Sequence, residues 1–254
     1  LPSTLSGAIV STEPLAISDT GLIVGRTAAG DENGQLLASS LLVWQVDANN
    51  QVHLFEFEDG WPLYDVSDVN NLGEVVGSGN GEAVVWQLTF DANGLVNGAS
   101  GPIGLGTLGF PYSEALGIND AGDIAGRAYE DIASHNSESK AVLWHTDGAT
   151  TVIPHVSGQK HWSSARRVDA TATRAIGTSC ELFRITFKPK VYVPHDCEPF
   201  LWHDGQTSPL NDLISNFDGF TELLGGQDMN AAGWICGRGL KNDESHAYVA
   251  IPVE

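Results

Sequence analysis

The residues with the most chemistry per position fall between His155 and His195. Lys160, Arg166, Arg167, Arg174, Arg184, Lys188 and Lys190 are seven of the chain's 12 basic residues, with only Asp169 and Glu181 interspersed. In a chain with 32 acidic residues, this patch points to an anionic partner such as a uronic-acid or sulfated glycan, or an acidic face of a second copy. The plainer alternative is a solvated basic loop. For catalysis, Arg166 would neutralise a uronate while His161, Tyr192 and His195 moved protons, as in a polysaccharide lyase. Their spacing is diagnostic of no reaction, and the chain has no G-x-S-x-G, H-E-x-x-H, Walker or dinucleotide motif. Non-catalytic binding is therefore the first expectation.

Further binding groups recur along the chain. Trp61, Phe110 with Tyr112, and Trp162 offer aromatic faces for sugar stacking; plugging the seams between structural units is the competing role. Arg26, Arg127 and Arg238 each follow a Gly-x-x-x-Gly stretch, so they occupy repeated positions suited to a carboxylate or sulfate clamp. The alternative for them is ion pairing to nearby acids such as Asp31, Glu130 or Asp243. Cys180 and Cys197 bracket a loop and are read as a disulfide in preference to a zinc site with His195; Cys236 is left over. No cofactor is called for. Calcium is the one ion kept open, because Asp47 and Asp91 supply oxygen ligands in turns, without the spacing of a full calcium loop.

The elements that must carry these groups are β-strands. Gly 29 with a single Met favours tight turns over long helices. A formal net charge of -20 argues against a nucleic-acid partner, and no apolar run is long enough to span a bilayer. The opening Leu1-Pro2-Ser3 suggests a processed mature chain. "GLIVG" from Gly21, "GEVVG" from Gly73, "GDIAG" from Gly122 and "GWICG" from Gly233 are copies of one strand, and "TRAIG" ending at Gly177 is a degenerate fifth. A spacing of roughly 50 residues is the length of a four-stranded propeller blade. Each copy follows an Asn/Asp-rich turn and precedes an apolar strand carrying Trp44, Trp86, Trp144 or Trp202, with Tyr248 taken as the fifth equivalent. These rings are expected to pack between blades.

The expectation is an all-β, five-bladed β-propeller in a single domain of residues 1–254, with blades near 15–63, 64–113, 114–163, 164–221, and 222–254 plus 1–14. The fifth copy ends after its third strand, so "LSGAIVS", residues 5 to 11, is assigned as the outer strand that closes the last blade.

"LGTLGFPYSEALGINDAGDIAG", residues 105 to 126, and His246-Ala247-Tyr248 near the end resemble the HAF family of extracellular bacterial repeat proteins, over nearly the whole chain. The fourth unit departs from the pattern, with "VDATATRAIGTSC" in place of Asn-Asp-x-Gly. Many relatives continue into a Pro-Glu-Pro sorting signal, whereas this sequence reaches Glu254 without one. The resemblance implies secretion and the propeller fold, and brings no catalytic residues. The expected function is thus a secreted module that binds a glycan or another extracellular macromolecule through its loop face; a self-assembling surface or filament protein and a lyase are the alternatives.

Overall fold

The computed structural model describes residues 9–30, 36–47, 49–57, 64–130, 138–156, 162–185 and 191–253, with backbone alone at 9–10, 28–30, 36–39, 64, 182–185 and 191–195. The fold is all-β, and its strands divide between two compact units, Leu1–Gly106 and Thr107–Glu254.

The first unit holds two antiparallel sheets. One runs β1 (Ile9–Ile17), β2 (Leu22–Gly30), β3 (Leu36–Val46) and β4 (Val52–Phe57); the other runs β5 (Tyr64–Val69), β6 (Glu74–Gly79), β7 (Glu82–Phe90) and β8 (Val96–Gly104). In the second unit, β9 (Tyr112–Ile118), β10 (Ile124–Tyr129), β11 (Ser139–Trp144) and β12 (Thr150–Val152) repeat the order. So do β13 (Trp162–Val168), β14 (Arg174–Ile185), β15 (Val191–His203) and β16 (Gln206–Pro209), followed by a short helix, α1 (Leu210–Leu213). A three-stranded sheet of β17 (Glu222–Met229), β18 (Ile235–Lys241) and β19 (Glu244–Ala250) comes last. One parallel pair, Ser139 with Trp162, joins the third and fourth sheets into a continuous eight-stranded one. The buried hydroxyl of Ser139 donates to the Ser163 carbonyl at 2.8 Å, and Ser163 Oγ accepts from the Ala141 amide at 2.9 Å.

The repeated sequence has a local cause. In its first turn Asn119 Oδ1 accepts from the Asp123 amide; Ser18, Asn70, Asp169 and Asn230 cap equivalent turns. Gly122 sits at φ 89, where a side chain is disfavoured. The fourth copy uses Ala172 at φ 53 in a turn one residue longer, closed by Asp169 N to Arg174 O. The second glycine of each copy faces a bulge in the first strand. A methyl group at Gly25, Gly77, Gly126, Gly177 or Gly237 would lie 1.8 to 2.1 Å from a carbonyl oxygen of that strand.

Asp169 shows what these caps contribute. Burial pushes its pKa up, but the Arg174 amide and guanidinium, the Thr173 amide and the Thr171 hydroxyl together pull it below the usual aspartate value. The stabilisation is present above the unfolded pKa of about 3.9 and is lost as pH falls through the lower folded value. Thermal melts from pH 7 to pH 3 are expected to show a shallower acid limb for Asp169→Asn than for the parent; superimposable limbs would refute this.

Two expectations are corrected. Ile9, Val10 and Ser11 pair with Gly30, Ala29 and Ala28, so they extend the first sheet's own first strand instead of closing the last sheet; residues 5 to 8 lie outside the described residues. A run as long as its neighbour closes a hairpin cheaply, whereas pairing with β19 spans almost the whole chain. The ring register also differs. Trp44, Trp86, Trp144 and Trp202 lie opposite Ile23, Val75, Ile124 and Ala175, and the fifth equivalent, opposite Ile235, is Ala250. Tyr248 lies opposite Gly237, as Phe200 does opposite Gly177. Trp86, Trp144, Trp202 and Tyr248 are nonetheless all buried, in keeping with a packing role.

Candidate functional site

Three residues singled out in the sequence, Tyr112, Arg127 and Trp162, converge at one end of the third and fourth sheets, and a fourth, Arg166, lies further along β13. Tyr112 begins β9, Trp162 begins β13, Arg127 lies near the end of β10, and Arg166 is the extra residue of a bulge in β13. Bulges re-aim a side chain out of the strand's alternation, and here the bulged residue is exposed. The Arg127 guanidinium carbon sits 4.6 Å from the Tyr129 ring centroid and 5.1 Å from that of Trp162, spanning the two sheets. Tyr112 stacks on Tyr129 at 5.7 Å. Phe110 lies beside them in sequence, with Lys140 Nζ 5.4 Å from its ring.

Two carboxylates meet these arginines, Glu114 and Asp228. Glu114 Oε1 lies 2.6 Å from Arg127 Nε, although that buried nitrogen makes no hydrogen bond of good geometry. Partial burial is the largest influence on Arg166 and lowers its pKa; Glu114 raises it, and Arg127 and Arg167 lower it again. Arg166 thus lies within electrostatic reach of one carboxylate and two guanidiniums. Arg167 also bridges to Asp228 of β17 at 2.8 Å. Counting Glu114 and Asp228, the group keeps a net positive charge, with Arg166 as its exposed member.

The other expected residues lie elsewhere. Arg26 pairs with Glu13 at 3.2 Å and with Asp65, acids of first strands and not the loop acids anticipated. Arg238 is exposed on β18, opposite Gly225, where the corresponding residue beside Arg127 is Glu114. Among the described residues it has no ion-pair partner. Backbone register sets Arg184 opposite Tyr192 and Glu181 opposite His195. The side chains of Arg184, Tyr192 and His195 lie outside the described residues, as do Trp61, His161 and Lys188 entirely.

Cys180 and Cys197 form a disulfide, which takes both thiols from the zinc alternative. Asp47 and Asp91 spend Oδ1 on turn amides, those of Asn49 and Gln51 and those of Asn93 and Leu95. Among the described residues no cluster of His, Cys, Asp and Glu is arranged to hold a metal.

Tyr129 and Glu114 were not anticipated. Strand alternation held the signal, since Tyr129 shares a face with Arg127 two positions away, and Glu114 with Tyr112. Asp123, His145 and Thr151 also line up, with His145 Nδ1 3.0 Å from Asp123 and Nε2 2.9 Å from Thr151. This resembles a nucleophile relay, but the same cross-strand positions in the second sheet hold Glu74 and Gln87, and in the fourth Arg174 and His203. In the third sheet the three side chains link the turn before β10, the end of β11 and β12.

No helix among the described residues is long and apolar enough to cross a membrane. No family model matches the chain, and no curated protein does. Among solved structures it is similar to the β-propeller domain of the Trilobed protease from Pyrococcus furiosus, at 10% identity over 98% of this chain and 82% of that one, with a TM-score of 0.38.

Proposed function

We propose that the chain is a secreted, non-catalytic five-bladed β-propeller of the HAF type that binds an anionic extracellular glycan at the junction of its third and fourth sheets. The observation that carries this reading is Arg127 set against the Tyr129 and Trp162 rings, with Arg166 exposed on the bulge of β13 and Arg167 beside it, in a chain of net charge -20. Three guanidiniums with two neighbouring carboxylates leave positive charge at an aromatic surface, the pairing that suits a carboxylate- or sulfate-bearing sugar. Much of the ring area is spent on internal stacking, with Tyr129 buried and Tyr112 and Trp162 half-buried. Charge rather than stacking is therefore the main source of affinity. Four Gly-x-x-x-Gly hairpins and a degenerate fifth ending at Gly177 support the propeller, and the disulfide supports export.

Calorimetric titration with a neutral glucan, polygalacturonate and a sulfated galactan tests the proposal. Binding is expected for the two anionic polymers and to weaken with added salt. Arg166→Gln, which changes an exposed side chain, should lower the affinity about tenfold. Equal binding of the neutral polymer, or an indifferent Arg166→Gln, would count against the site. Concentration-dependent association without glycan binding would favour the self-assembly alternative.

A further inference from the structure

The first strands of the second unit carry bulges at one common register. Leu116 of β9, Arg166 of β13 and Gln227 of β17 are each the extra residue, between Ala115 and Gly117, Ala165 and Arg167, and Gly226 and Asp228. These strands approach one another closely there. A methyl group at Gly117 would lie 2.2 Å from the Arg166 carbonyl oxygen, and on the other side Arg167 Nε reaches Asp228 Oδ1 at 2.8 Å. Because the residues that follow the bulges meet their neighbours across the strands, the bulged residues stand side by side, with Arg166 between Leu116 and Gln227. A bulge turns its extra residue out of the strand's alternation. Arg166 and Gln227 are both exposed, and Leu116 is half-buried.

Charge matching singles out Arg166 in this row. Arg127 faces Glu114, and Arg167 faces Asp228, so both neighbouring guanidiniums already have a carboxylate. Among the described residues Arg166 forms no ion pair. Its pKa is lowered chiefly by partial burial, and the Glu114 carboxylate offsets this while Arg127 and Arg167 add to it. A partly desolvated cation without a counter-charge of its own is completed by an incoming anion. Beside it, the Gln227 amide supplies a donor and an acceptor without adding charge, the pair of functions that a sugar hydroxyl can use.

We propose that Arg166 and Gln227 together hold one uronic-acid residue: the guanidinium pairs with its carboxylate, and the Gln227 amide bonds a hydroxyl of the same sugar ring. This rests on the anionic-glycan function proposed above and adds to it the acidic group recognised and a residue that determines specificity. A single planar fork makes its strongest contact with a planar carboxylate, through two parallel hydrogen bonds. Leu116 gives the ring an apolar neighbour on the other side of Arg166.

The probe is polygalacturonate, titrated calorimetrically into the parent protein and two variants of the exposed Gln227. Gln227→Leu keeps the volume, removes the amide and should weaken binding about fivefold. Gln227→Glu sets a carboxylate beside Arg166, supplies the missing counter-charge, and should weaken binding at least about tenfold while flattening its salt dependence. A second readout needs no ligand. Followed by carbon NMR, the introduced carboxyl should titrate below the usual glutamate value of about 4.3 and return towards it when Arg166→Gln is added. Binding that is lost in Arg166→Gln yet unchanged in both Gln227 variants would overturn this inference and leave the anionic-glycan function intact. No binding to the parent protein would overturn both. An ordinary pKa for the introduced carboxyl, or a low one that persists in Arg166→Gln, would overturn the side-by-side placement of the two residues.

Discussion

Gly126→Ala is expected to destabilise the protein by about 3 kcal/mol or more, because the new methyl has no space in either direction. It would lie 2.1 Å from the Glu114 carbonyl oxygen and 2.8 Å from the Trp144 ring. The carbonyl belongs to the bulged strand β9, and the indole is buried, so relief requires moving a paired backbone or a core ring. Gly148→Ala separates this clash from the ordinary cost of adding a side chain at positive φ. Gly148 has φ 83 and nothing within 4 Å of an added methyl, so its replacement should cost only about 1 kcal/mol. Urea unfolding of the two variants checks the contrast, and equal losses would mean that the bulge yields. Because Arg127 follows Gly126, the change should also weaken anionic glycan binding in whatever fraction remains folded.

Removing the disulfide with Cys180→Ser and Cys197→Ser together should cost about 3 kcal/mol on the chain-entropy account of a short closed loop. The two cysteines are 17 residues apart and connect β14 with β15, the strands that carry Arg174 and Trp202. Cys180 is buried at 1% exposure, so its hydroxyl replacement adds the cost of burying a polar group. Thermal melts with and without reductant should separate for the parent and coincide for the double variant. A parent melt that ignores reductant would show that the strand pairing alone holds this hairpin.

Much of the architecture was legible because it is written in short-range chemistry. The turn-capping Asn119 lies four residues from the amide it accepts, and the glycine that tolerates the bulge lies seven residues beyond it in the same hairpin. The repeated hairpins and the cysteine pair followed from such patterns. The site was legible only in part. Arg127, Tyr112, Trp162 and Arg166 were singled out, yet the carboxylate that pairs with Arg127, Glu114, was not, because in sequence it is one acid among 32.

The sequence by itself therefore determined the strand-turn-strand units, the glycines they require and the disulfide, since each depends on residues close along the chain or on a pair of scarce ones. Tertiary structure alone decided that Ala250 and not Tyr248 takes the tryptophan position, that Ile9–Ser11 pair with β2, and that Arg127 meets Glu114 while Arg167 meets Asp228. Each of these turns on which residues face one another across strands. A one-residue bulge or a shift of two positions changes that partnership while leaving the local pattern almost unaltered.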